Sequence, residues 1–110
     1  MYRKLLAGVR VEIPQDDPRS ESVYHLFVVW VEDRDRVRAE MDKRCVGTAI
    51  HYPVPLHLQK AYADLGHARG SFPHTERASD QVFSMPLFPE MTNEQAEHAA
   101  KALIEIVGRK

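Results

Sequence analysis

Between Val23 and Val31 the chain reads VYHLFVVWV. Both alternating sets are apolar, Val23, Phe27, Val29 and Val31 on one side and Tyr24, Leu26, Val28 and Trp30 on the other. β-Branched and aromatic residues in such a run predict a strand, and apolar residues on both faces predict one that is central and covered on both. His25, the polar interruption, reads as a satisfied core or interface histidine. Asp33 then stands where it can cap a helix over 34–44, in which Val37, Met41 and Cys45 fall at i, i+4 and i+8 while Arg and Glu fill the other face. On that stripe Cys45 is expected to be an inert core thiol. Its charged face, EDRDRVRAEMDKR, is a solvated one.

Elsewhere the pattern is shorter-ranged. Tyr2, Leu5, Leu6 and Val9 recur at helical spacing, with Met1 almost inside the pattern and no capping residue ahead of it, so this helix reads as cut at its start. Residues 14–22, PQDDPRSES, form a polar connection. Gly47 closes the 34–44 segment, and TAIHY reads as a second short strand stopped by Pro53. A short helix is expected over 56–65, ended by Gly66. A loop with Gly70 and Pro73 leads to another helix from Thr75 to about Val82, and SMPLFPEM is extended. Thr92 with Gln95 makes a capping box, Met91 and Ala96 a hydrophobic staple, and Gly108 follows the end of a helix whose apolar face is Ala96, Ala99, Ala100, Leu103 and Val107. The expected class is α+β, a small, mostly antiparallel sheet of three or four strands with helices packed on one side. Helices on one side leave one strand face uncovered. At about 1.5 to 3 kcal/mol per exposed side chain that loss would rival the stability of a whole domain, which points to a missing partner surface.

At 110 residues the chain is expected to form one domain. Its 15 basic and 16 acidic residues leave a formal charge of -1, which removes the electrostatic reason to propose nucleic acid or an anionic membrane as partner. No apolar run approaches the roughly 20 residues of a membrane span, and no signal-peptide pattern opens the chain. One cysteine excludes an internal disulfide. A cytoplasmic protein is the expectation.

The chemistry-bearing stretch is GTAIHYPVPLHLQKAY, residues 47–62. Pro53 and Pro55 stiffen the turn that carries His51 and His57. Those histidines can cap the turn and bond backbone, or bind a ligand. The His51–Tyr52 pair, with donors beside an apolar ring, suits a sugar or a phosphate. Their i, i+6 spacing matches no metal-ligand pattern. Asp16, Asp17 and Glu21 read as solvated surface, and neither a serine-nucleophile elbow nor a Gly-rich phosphate loop is present.

Taken as an ordered string, YRKLLAGV, YHLFV, DRDRVRAEM, GTAIHYPVPLHLQKAY, the G-x-FPHTERAS segment and SMPLFPEMT resemble the C-terminal part of the DegT/DnrJ/StrS-type sugar aminotransferases, over roughly residues 2–107. The resemblance implies the small C-terminal domain of a fold-type I enzyme that uses pyridoxal 5'-phosphate. Such enzymes work as dimers and move an amino group, commonly from glutamate, to a keto group on a nucleotide-linked sugar. It implies that His51, Tyr52 and His57 help bind the sugar nucleotide or position the neighbouring subunit. The family's aldimine lysine and the acidic partner of the pyridine nitrogen belong to the large N-terminal domain, and none of Lys4, Lys43, Lys60, Lys101 or Lys110 stands in a motif like that lysine's. The chain alone is therefore expected to hold no cofactor and to be inactive, its partner being the missing large domain or a second copy. The alternative is a non-catalytic interaction or ligand-binding module derived from that domain.

Overall fold

The computed structural model describes all 110 residues, Met1 to Lys110. Helix α1 spans Tyr2–Leu5, strand β1 Phe27–Trp30, helix α2 Arg34–Lys43, helix α3 Pro73–Gln81, strand β2 Val82–Met85 and helix α4 Asn93–Val107. Two 3-10 helices, Leu56–Leu58 and Lys60–Leu65, precede α3. β1 and β2 pair antiparallel, Phe27 opposite Met85 and Trp30 opposite Val82. Helices and an antiparallel sheet are as expected, but the strands number two, not three or four. Glu12 and Ala49 flank the pair by single bridges to Trp30 and Ser84. Pro14 and Pro53, close behind them, lack the backbone donors that a longer ladder would use.

β1 is also shorter than its apolar run. Tyr24 sits at φ 49, a left-handed backbone that a strand cannot carry. Its N–H donates to Ser22 Oγ and its hydroxyl to Asp16. Val23 is consequently 92% exposed, and His25 is exposed rather than a core residue. Inside the strand the faces differ: Phe27 and Val29 are buried, Val28 and Trp30 half-buried. The cover expected on both faces is complete on one.

That covered face holds the core. Phe27, Val29, Phe83 and Met85 join Val37 and Met41 from α2 and Ala96, Ala99, Ala100 and Leu103 from α4 in one apolar cluster. The small α4 residues let its axis approach α2 and the sheet closely. Thr92 accepts from the Gln95 N–H while the Gln95 side chain accepts from the Thr92 N–H, the reciprocal cap expected of this sequence. Gly108, at φ 79, ends the helix, and Val9 and Arg109 bridge the two ends of the chain. The first helix stops at Leu5, short of the span its periodicity suggests, because Gly8 at φ 70 turns the chain into that bridge. Tyr2 still packs on Phe27 at 5.0 Å between ring centroids. Burial pushes its hydroxyl up to about 12, so at ordinary pH it stays a donor, here to the Pro86 carbonyl at 2.8 Å.

α2 corrects two expectations. Asp33 occupies the cap position at φ 51 without a side-chain cap bond; its carboxylate instead accepts from Arg36 Nε at 2.8 Å. The helix ends at Lys43 and Cys45 turns left-handed at φ 58. That rotation takes the thiol off the apolar stripe, so Cys45 is exposed and Val46 fills the core position. The 56–65 helix forms as two 3-10 pieces, broken where Gln59 is extended, and Gly66 ends it at φ 74. α3 begins two residues earlier than expected, since Pro73 pre-sets the dihedral of a first helical residue. It ends at Gln81, and Val82 opens β2.

Candidate functional site

The turn at residues 51–57 is held from three directions. At its entrance Arg38 of α2 donates from Nε to Thr48 Oγ1 and from a terminal nitrogen to the Thr48 carbonyl, both at 3.0 Å. Ala49 then exchanges two backbone bonds with Ser84, the Ser84 N–H donating at 2.7 Å and the Ala49 N–H at 3.3 Å. Beyond the prolines, Leu58 N–H donates to the Pro55 carbonyl at 2.9 Å. The stiffness read from Pro53 and Pro55 is thus supplemented by bonds to β2 and α2.

The three residues singled out by sequence take different environments. His51 is half-buried, with Nδ1 2.9 Å from Ser84 Oγ. Its ring meets that of Tyr52 edge-on at 5.5 Å. Tyr52 is 73% exposed. His57 is only 8% exposed, its Nε2 lies 2.9 Å from Glu76 Oε1, and Phe72 packs edge-on against it at 4.8 Å. His51 and Tyr52 are therefore placed together at the surface, while His57 faces inward.

Glu76 and Ser84 are the residues that sequence reasoning missed. Glu76, 7% exposed, accepts from the Gly70 N–H through both oxygens, at 2.8 and 2.9 Å, and from the Phe72 N–H at 3.4 Å. Burial pushes its carboxyl up, but the Gly70 amide, His57 and the Phe72 amide outweigh that and hold it below its ordinary value. One carboxylate thereby fastens the 66–72 loop, α3 and His57 to each other. The signal was present: a Glu in the first turn of a helix behind FP, where backbone donors gather. Ser84 is the polar residue of an otherwise apolar strand, VFSM, and a buried hydroxyl requires a partner.

The remaining candidates are peripheral. Asp17 accepts from Arg19 and Asp16 from Tyr24 and Arg3, as solvated loop residues do. No group of three or more His, Cys, Asp or Glu side chains is gathered to hold a metal, and no helix is long and apolar enough to cross a membrane. An aldimine lysine is a desolvated amine facing its cofactor. Lys4, Lys43, Lys60, Lys101 and Lys110 are all exposed, and Lys43 is paired with Glu40, so the residues present do not fit a pyridoxal phosphate site by themselves.

Exposed apolar side chains recur along the turn and the segment that follows it, Tyr52, Val54, Leu56, Tyr62, Leu65 and Phe72. Exposed apolar groups concentrated in one stretch are the mark of a surface that meets something else.

Comparison with known proteins identifies the family to which the chain belongs. The family model described as the DegT/DnrJ/EryC1/StrS aminotransferase family matches residues 1–104. The erythromycin biosynthesis sensory transduction protein EryC1 of Saccharopolyspora erythraea is 41% identical over 93 residues, 84% of this chain and 25% of that protein. The dTDP-3-amino-3,4,6-trideoxy-alpha-D-glucose transaminase of Streptomyces venezuelae is 39% identical over 105 residues, 94% of this chain and 28% of that protein. Among solved structures, S. venezuelae DesV in complex with a ketimine intermediate superposes with a TM-score of 0.93 at 38% identity, over 99% of this chain and 30% of that one. The chain thus spans 25% and 28% of the length of these two curated relatives. It belongs to the DegT/DnrJ/EryC1/StrS aminotransferase family.

Proposed function

We propose that this chain is the small C-terminal domain of a pyridoxal-phosphate-dependent aminotransferase that moves an amino group from an amino acid, glutamate by family resemblance, to a keto group of a nucleotide-linked sugar. The observation that carries the reading is the superposition of 99% of the chain on 30% of a chain captured with a ketimine intermediate. The lysine-bearing large domain supplies the cofactor in this reading, and the chain alone is inactive. His51 and Tyr52, from a turn fixed on β2, offer donors and a ring to the sugar nucleotide or to the neighbouring subunit, and His57 holds the turn from beneath through Glu76.

The test is a chimera in which this chain replaces the matching segment of the S. venezuelae transaminase. It is expected to form the cofactor adduct and transfer an amino group to the keto sugar, with His51→Ala and Tyr52→Ala together lowering kcat/KM about tenfold or more. A folded, cofactor-loaded chimera without transfer would overturn the reading. So would a stoichiometric borohydride-reducible adduct at one lysine of the chain by itself. A second reading, a non-catalytic interaction module, draws on the exposed apolar residues along the turn and the segment that follows it; it predicts self-association of the chain and an inactive chimera.

A further inference from the structure

Ser84 lies on the face of β2 opposite the core, since its neighbours Phe83 and Met85 point into the apolar cluster and side chains alternate along a strand. It is 4% exposed. A serine hydroxyl carries one proton and two lone pairs. The side-chain hydrogen bond formed by Ser84 Oγ is the one to His51 Nδ1, at 2.9 Å.

Two proton arrangements satisfy that distance. If Nδ1 carried the proton, the hydroxyl would accept it, and its own proton would be buried with nothing to receive it. If Nδ1 is bare, the hydroxyl donates and no polar group is left over. Buried donors are paired as a rule, which favours the second arrangement. The neutral His51 then carries its proton on Nε2. Within the chain that atom makes no hydrogen bond, and on this half-buried ring it is not fully sealed from solvent. Tyr52, largely exposed, stands edge-on beside the same ring.

The geometry points to Ser84 as a positioning residue that fixes the His51 ring and tautomer, so that Nε2–H is a ready donor to an oxygen acceptor of the nucleotide-linked sugar. This rests on the functional reading above. The hold on the ring is local and short. The Ala49–Ser84 bridge places the backbone of the turn, and the Ser84 hydroxyl places the ring that the turn carries. A neutral donor of fixed direction recognises a hydroxyl, carbonyl or phosphate oxygen and offers nothing to an ammonium group, which has no lone pair to accept with. The outward edge is thus matched to an oxygen of the sugar nucleotide and not to the amino donor's ammonium group, and comparing the two KM values separates it from the donor's carboxylates.

Two measurements separate failure of this inference from failure of the functional reading. The first uses the chain itself, labelled with 15N at histidine, with His51 assigned by the signals lost in His51→Gln and recorded well above the histidine pKa. Wild type is expected to show a protonated Nε2 and a pyridine-type Nδ1 displaced by an accepted hydrogen bond. Ser84→Ala moves the Nδ1 resonance toward that of free imidazole, and Ser84→Thr, which keeps the hydroxyl, restores it. A proton on Nδ1 in wild type, or an Nδ1 resonance indifferent to Ser84→Ala, overturns the inference whatever the enzyme does.

The second measurement is steady-state kinetics of the chimera. Ser84→Ala is expected to raise KM for the keto sugar and lower kcat/KM about tenfold, the loss of roughly one aligned hydrogen bond, leaving KM for the amino donor unmoved. Ser84→Thr recovers most of it, and His51→Gln, which keeps a donor near the Nε2 place, is milder than His51→Asn. Equal effects on both KM values would overturn the positioning role. A chimera inactive with the wild-type turn would overturn the functional reading and leave the tautomer result standing.

Discussion

Leu103 of α4 is 0% exposed and sits in the cluster that joins α4, α2 and the inner face of the sheet. Leu103→Ala removes three carbons, and at about 0.8 kcal/mol per buried CH₂ the transfer loss alone is about 2.4 kcal/mol. The void left between helices raises this within the range of about 2 to 5 kcal/mol seen for such truncations. A domain of this size is stabilised by roughly 5 to 15 kcal/mol in total, so the variant stays folded in buffer but with a much smaller margin. Urea denaturation of the purified chain measures it. With a slope of roughly 1 to 3 kcal/mol per molar, the midpoint is expected to fall by about 1 to 3 M. Leu103→Met, which nearly conserves volume, is expected to cost under about 1.5 kcal/mol and to shift the midpoint correspondingly less. Midpoints for Leu103→Ala and wild type that coincide within error would refute the docking of α4 on the sheet, and with it the claim that one face of this chain is complete.

Glu76→Gln gives a pH signature. The carboxyl is held below its ordinary value of 4.5, so its contribution is fully present above that pH and is lost as pH falls through the depressed value. The variant should melt below wild type at neutral pH, with the gap narrowing at pH values under about 4.5. Scanning calorimetry at pH 7 and pH 3 checks this, and a gap independent of pH would show that the Gly70, Phe72 and His57 bonds do not act on the charged form. Cys45, exposed beyond the end of α2, should consume one equivalent of a thiol reagent in native buffer; protection relieved only by urea would put it back in the core.

The residues that announced themselves in the sequence are those whose reasons are local. The capping box at Thr92 and Gln95 needs only four consecutive residues, and the α4 stripe needs only a helical period. Where the reading failed, a local exception broke the period. The apolar run from Val23 extends past its strand because Tyr24 turns left-handed, a choice made by Ser22 and Asp16 bonds that no hydropathy pattern encodes. Cys45 keeps the i+8 spacing but not the helix, since α2 ends two residues earlier. At the candidate site, His51 and Tyr52 were visible as chemistry on a proline-stiffened turn. Their supports were not, because Ser84 is 33 positions from His51 and Glu76 is 19 from His57. Pairings of that separation exist only once the chain is folded.

The two faces of the sheet divide the work of the chain. On the inner face Phe27, Val29, Phe83 and Met85 are buried in the apolar cluster. On the outer face Val28 and Trp30 stay half-buried, Arg77 lies 5.7 Å over the Trp30 ring, and Ser84 holds His51. A strand residue at the Ser84 position selected for stability alone would be apolar, since a buried hydroxyl at best offsets its own desolvation. Serine there is better explained by what it holds than by what it buries. The same logic covers Glu76, a carboxylate whose bonds run to two loop amides and a histidine. Both polar groups spend burial on geometry at the turn, and in the proposed reading that geometry serves the presentation of His51 and Tyr52 to the sugar nucleotide.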